Sequence, residues 1–126
     1  MMDFPLTISS FFRRAETLFP HKSIITRLPD KSIHRYTYKD FTLRTRKLGA
    51  GLAALGVGEG DRVATLCWNH YQHLEVYFAV PCSGAILHAL NLRLSPGDLS
   101  YIINHAEDKV LIVDQVLLPL LDKFKG

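Results

Sequence analysis

The stretch Asp61-Arg62-Val63-Ala64-Thr65-Leu66-Cys67 decides the fold. It carries no charge after Arg62 and is rich in apolar and β-branched residues, which suits a strand covered on both faces. Two later runs repeat the pattern. Ala85 to Leu90 and Lys109 to Val113 read as further buried strands, with helical segments between. His70 to Val80 supplies a broadly apolar helix that Asn69 can cap and that Pro81 with Gly84 bends or ends. Ser95-Pro96-Gly97-Asp98 starts a helix running to His105, with Ser95 as N-cap, Pro96 in the first helical position and Asp98 in the first turn. Asp114 can cap a last helix, Val116 through Phe124. Apolar strands separated by helices predict an α/β fold: a largely parallel sheet with helices on both faces, joined by right-handed crossovers.

Upstream of the deciding stretch the pattern changes. Ile8, Phe11, Phe12, Ala15, Leu18 and Phe19 have helical spacing, opening at Thr7 or Ser9 and ending at Pro20. Ser23 to Leu28 and Ser32 to Thr37 flank Pro29-Asp30-Lys31 and predict a β-hairpin. Thr37-Tyr38-Lys39-Asp40 resembles a capping box with Asp in place of Glu, and Phe41, Leu48, Leu52 and Leu55 keep helical phase until Gly56 stops the helix.

The chain has 126 residues, 48% of them hydrophobic and 21% charged, a balance that excludes a disordered tail, a collagen-like repeat and a coiled coil. One domain of this size can bury a core without cross-links. The net charge of +3 is too small to argue for nucleic acid, and none is expected as a partner. The basic excess sits in Arg13, Arg14, Lys39, Arg44, Arg46 and Lys47, read as a solvated helix face, with an acidic partner or a membrane surface as the alternative. Two cysteines without a C-x-x-C motif point to free thiols in a reducing compartment. Residues 1–12 lack a basic leader and do not read as a signal peptide. The longest uncharged run, Val76 to Leu92, is too short to span a membrane. A cytoplasmic location is expected, with peripheral membrane association as its extension.

Residues able to carry chemistry are few. Gly56-Val57-Gly58-Glu59-Gly60 leaves a helix and enters a strand, the reverse of a phosphate-cradling loop, so it reads as a C-cap and tight turn. His70 and His73 share a helical face but make an incomplete metal site; they are expected on a partly exposed rim. His21, His34, His88 and His105 are scattered. Cys67 ends a strand without a basic neighbour to lower its pKa, and core packing is its expected role. Asn91 and Arg93 follow a strand, where they could bind a ligand at its carboxyl end or serve the structure, Asn91 pinning the loop and Arg93 pairing with a carboxylate elsewhere. No serine lies in a G-x-S-x-G context.

Taken in order, Tyr36-Thr37-Tyr38, Gly60-Asp61-Arg62-Val63, Trp68-Asn69, Leu74-Glu75-Val76-Tyr77-Phe78-Ala79, Gly84-Ala85, Asn91-Leu92-Arg93-Leu94 and Tyr101-Ile102-Ile103-Asn104-His105-Ala106 span nearly the whole chain. This set resembles the N-terminal part of acyl-CoA synthetases of the adenylate-forming, AMP-binding superfamily, most similar to long- or medium-chain fatty-acid–CoA ligases. The family often has Pro where Leu92 stands. The resemblance implies a two-step reaction in which a fatty acid and ATP, with Mg²⁺, give an acyl-adenylate and CoA then displaces AMP. The family's Thr/Ser/Gly-rich loop ending in Lys, its acidic residues for ribose and metal, and its C-terminal-domain Lys all lie outside this chain. Residues 1–126 are accordingly expected to be an N-terminal subdomain truncated before the ATP phosphate loop. No catalytic, cofactor-binding or metal-binding residue is assigned to it. It is expected to bind no cofactor and to be inactive alone, since fatty acid, ATP and CoA would be met through the missing remainder. Self-association, including a homodimer, is expected where that remainder would cover a face or edge. Two other classes remain open: a non-catalytic α/β interaction or oligomerisation module acting through Arg13 and Arg14, and a small nucleotide-binding protein, which the absent phosphate loop disfavours.

Overall fold

The computed structural model describes residues 7–123. Its elements run α1 (Ile8–Leu18), β1 (Ser23–Arg27), β2 (Ile33–Thr37), α2 (Tyr38–Ala54), β3 (Arg62–Leu66), α3 (Tyr71–Cys82), β4 (Ile86–Ala89), α4 (Pro96–Ala106), β5 (Val110–Val113), a 3-10 turn at Gln115–Leu117 and α5 (Leu118–Asp122). β1 and β2 form the antiparallel hairpin. The other strands form a parallel sheet in the order β4-β3-β5, with Val63 opposite both Leu87 and Val110. The expected α/β class therefore stands.

The deciding stretch takes the centre of that sheet, and both its faces are used. Val63 packs with Leu52 of α2 and Val76 and Val80 of α3. Ala64 and Leu66 point the other way, into Leu90, Leu99 of α4 and Leu117. Alternating side chains of one strand thus feed two separate cores, which is why the strand is apolar throughout. The two flanking strands differ from expectation. β4 and β5 are sheet edges, half-buried in β5 and with Ile86 46% exposed in β4. Composition alone does not separate a central strand from an edge strand.

Local signals place the helix ends. Asp40 N–H donates to Thr37 Oγ1 and Thr37 N–H to Asp40 Oδ2, both at 3.2 Å, a complete capping box. Gly56 closes α2 with φ +91, a conformation other residues adopt only under strain. Leu55 falls out of the apolar phase and is exposed, because it sits at the C-cap. Asp98 N–H donates to Ser95 Oγ at 3.1 Å, as the sequence predicts. Thr7 caps α1 by backbone geometry; its side chain accepts no helix N–H and meets Ser10 Oγ at 3.4 Å instead. His70, rather than Asn69, caps α3. Pro81 does not end α3: it lies in the last turn, and the helix continues to Cys82 before Gly84 turns the chain at φ +86. The last helix is shorter than expected, interrupted as a 3-10 turn followed by α5, and its expected end at Phe124 lies outside the described residues.

A third core joins the hairpin to the helices through Phe12, Tyr36 and Phe41. Phe41 and Phe78 meet edge to face at 5.6 Å. Within it Glu75, 4% exposed, accepts hydrogen bonds from Tyr36 Oη at 3.0 Å and Arg44 Nε at 2.7 Å. A buried carboxylate is tolerated only when so satisfied. The burial and the adjoining carboxylate push the Tyr36 phenol pKa far up. Of the basic run, Arg44 is thus part of the fold, and Arg46 pairs with Glu16 at 2.8 Å on the surface.

Candidate functional site

In the sheet order β4-β3-β5, the chain leaves β3 toward β4 on one side and returns as β5 on the other. The segments that follow β3 and β5 diverge at the carboxyl ends of the strands, the place where open α/β sheets form ligand crevices. A crevice of about 610 Å³ lies there, bounded by Trp68, His70, Asp114 and Val116 and by the hairpin turn at Leu28 and Pro29. The turn reaches it because Leu28 and Ser32 close the hairpin and Lys31 adopts φ +70. Trp68 is 52% exposed and Val116 59% exposed, so large apolar side chains rim the opening.

One carboxylate sets the shape. Asp114 Oδ2 accepts the Trp68 backbone N–H at 2.8 Å, and Oδ1 lies 2.7 Å from His70 Nε2. His70 Nδ1 accepts the His73 N–H at 3.0 Å, so its proton is on Nε2 and is given to Asp114. His73 follows the same logic in reverse. Its Nδ1 lies 3.2 Å from the Trp68 carbonyl, which can only accept, so its Nε2 accepts from Thr65 Oγ1 at 2.9 Å. Both imidazoles thus have both nitrogens occupied. Desolvation by burial lowers the pKa of His73, and the neighbouring His70 acts in the same direction.

Cys67 is buried beside this network, its thiol directed at the Ile112 carbonyl 3.6 Å away. Burial pushes its pKa up to about 12, with Asp114 adding to the rise. A thiol so protonated is a poor nucleophile. The arrangement therefore holds two loops in register and offers an apolar, partly aromatic crevice; it is built to bind or to be covered rather than to react.

The structure redistributes the sequence candidates. His73 is buried at 5% exposure, not on the partly exposed rim expected of it, whereas His70 is half-buried and lines the crevice. Among the described residues no three His, Cys, Asp or Glu side chains come together to hold a metal ion. The glycines at 56, 58 and 60 lie at the opposite, amino end of the sheet, where Asp61 Oδ2 accepts the Gly58 N–H at 2.7 Å. Asn91 does pin its loop, accepting the Arg93 N–H at 3.0 Å. Arg93 corrects the expectation: it is exposed and forms no ion pair among the described residues. The residue that sequence reasoning missed is Asp114, taken as a helix cap although it caps no helix through its side chain. The available signal is its place just after a strand, on the far side of β3 from β4, where it faces the loop leaving β3.

Comparison with known proteins agrees with this geometry. The AMP-binding enzyme family matches residues 11–126. A long-chain-fatty-acid–CoA ligase of Thermus thermophilus is 54% identical over all 126 residues, which make up 23% of that protein. A medium-chain-fatty-acid–CoA ligase of Ectopseudomonas oleovorans is 36% identical over the same 126 residues, again 23% of its length. The solved structure of a Mycobacterium tuberculosis fatty acyl CoA synthetase superposes with a TM-score of 0.79 at 26% identity, over 91% of this chain and 22% of the other. The chain thus spans about a quarter of the length of the relatives it matches. Among its described residues no helix is long and apolar enough to cross a membrane.

Proposed function

From the premise that the chain belongs to the AMP-binding enzyme family, we propose that it is the N-terminal part of an ATP-dependent fatty-acid–CoA ligase. The whole enzyme would join a fatty acid to ATP as an acyl-adenylate and then pass the acyl group to CoA, releasing AMP. The observation that carries this reading is the 54% identity along all 126 residues to a fatty-acid–CoA ligase of which they make up 23%.

In this reading residues 1–126 form a scaffold subdomain. The β3–β5 crevice, with Trp68 and Val116 at its rim, is where the rest of the enzyme would seat. Two open sheet edges, β4 and β5, would be covered in the same way. The chain's own residues then act by position: Asp114, His70 and His73 fix the loop after β3, and the buried Glu75 fixes the hairpin whose turn walls the crevice. The metal and phosphate chemistry would be supplied by the remaining three-quarters of the length. The enzyme would work in the cytoplasm.

The test assays the native gene product and the purified 126-residue chain side by side for acyl-CoA formation from fatty acid, ATP and CoA. The native product is expected to form acyl-CoA and AMP, and the 126-residue chain alone none. Turnover by the chain alone, free of contaminating ligase, would refute the scaffold assignment; a native product inert toward every fatty acid would refute the ligase.

A further inference from the structure

The first turn of α3 is capped by a side chain that can change its role. The N-cap residue is His70, whose Nδ1 accepts the His73 N–H at 3.0 Å. Helix N-caps are ordinarily Ser, Thr, Asp, Asn or Gly, whose capping does not alter near neutral pH. An imidazole nitrogen accepts only while it carries no proton, and imidazoles gain that proton between about pH 5 and 8. Protonation at Nδ1 turns the acceptor of the cap into a second donor aimed at an N–H. It also places a positive charge at the positive end of the helix dipole. Both effects release the first turn.

The same proton strengthens the other contact of the ring. His70 Nε2 lies 2.7 Å from Asp114 Oδ1, and a charged donor makes the stronger bond to a carboxylate. Asp114 in turn holds the Trp68 N–H through Oδ2. His70 therefore joins two elements, α3 through Nδ1 and the segment after β5 through Nε2. Its protonation decides whether it serves both or only the second.

The surroundings direct the proton to His70. His73, on the same helix, is 5% exposed, and its burial and the nearby His70 both disfavour a charge there. Asp114 is the one carboxylate among the residues lining the crevice, and it touches His70. The other titratable or charged groups around the ring are Tyr71 on α3, its centroid 6.5 Å away, Cys67 at the end of β3, whose thiol burial keeps protonated, and Arg27 of the hairpin, which lines the same crevice.

We propose that His70 is a proton-operated latch on the crevice: with Nδ1 bare it caps α3 and ties it to Asp114, and with Nδ1 protonated it keeps Asp114 and lets the first turn of α3 go. The latch consists of hydrogen bonds within this chain and does not depend on the ligase reading.

Hydrogen–deuterium exchange of the native gene product tests it, read by mass spectrometry on peptides covering residues 67–76 at about pH 8 and about pH 5.5, with intrinsic exchange rates divided out. Protection of this segment is expected to fall about fivefold at the lower pH, the loss of one N-cap. His70→Asn, which caps without titrating, should be equally protected at both pH values; His70→Ala, which cannot cap, should be poorly protected at both. If either variant fails to fold by circular dichroism, nitrogen NMR of the wild-type His70 ring decides, since Nδ1 must gain its proton over the range in which the segment loses protection. Wild-type protection that does not change with pH, a loss that persists in His70→Asn, or a loss that His73→Gln removes while His70→Asn does not would overturn the latch.

Discussion

Two carboxylates, the buried Glu75 and the half-buried Asp114, are held in opposite ways. Glu75 is matched to a permanent cation, Arg44, and to the Tyr36 hydroxyl, and it fastens the hairpin to α2 and α3. Asp114 has no such permanent cation; its partners are a main-chain N–H and the imidazole of His70. The first arrangement is a fixed clamp between elements. The second adjoins His73, whose pKa burial lowers, so the crevice is the part of the fold that protons can loosen. Partner chemistry, together with the shallower burial of Asp114, separates the static pole from the adjustable one.

The sharpest break in this comparison is Glu75→Ala. It strands the Tyr36 hydroxyl in a buried site at a cost of about 2–3 kcal/mol, while Arg44, whose side chain is 51% exposed, returns to water at little further cost. Denaturant unfolding measures the loss. Adding Tyr36→Phe to Glu75→Leu should recover part of it, because then no polar group is stranded. At the other pole Asp114→Ala should cost less, about 1 kcal/mol, since the exposed Trp68 lets water reach the freed N–H. Its clearer signature is a change in Trp68 fluorescence as the loop after β3 is released.

The pH response comes next in size. The His73 pKa is lowered from an ordinary value of 6.5, so the unfolded chain binds the proton more readily than the folded one. Stability should hold above about pH 6.5 and fall as the pH drops below it, by at most about 1.4 kcal/mol per pH unit for this one proton. His73→Gln should flatten that slope, whereas Glu75→Ala should leave it in place. On the alkaline side the sign reverses. Cys67 and Tyr36 are both raised in the fold, so their contribution is complete below their unfolded values and is lost as the pH rises through the folded ones. The smallest effect is chemical: iodoacetamide at pH 8 should label the exposed Cys82 and spare Cys67, read by mass spectrometry, and labelling of folded Cys67 would show that the crevice opens.

Much of the architecture is legible in the sequence because its signals are local. The capping box at Thr37 and Asp40, the stop at Gly56 and the Ser95 start each act within one helical turn and appear as written. What is not legible is set at long range. Lys109 to Val113 has the composition of a central strand, but among the described residues no strand pairs beyond it, so it forms an edge. Asp114 looks like a cap because the sequence cannot show Trp68, 46 residues away, offering it an N–H. His70 and His73 share a helical face as their spacing requires, yet the side toward which that face turns depends on Thr65 in the central strand. Arg93 shows the converse error, a partner expected from charge alone where solvent suffices.

The ligase assignment meets its most direct test in a graft. These 126 residues replace the matching 23% of the Thermus thermophilus long-chain-fatty-acid–CoA ligase, and the hybrid is assayed for acyl-CoA formation. A subdomain of the same enzyme should seat against the remaining length and restore turnover with fatty acid, ATP and CoA. A hybrid that folds and stays inert, while the parent ligase treated in the same way is active, would contradict it.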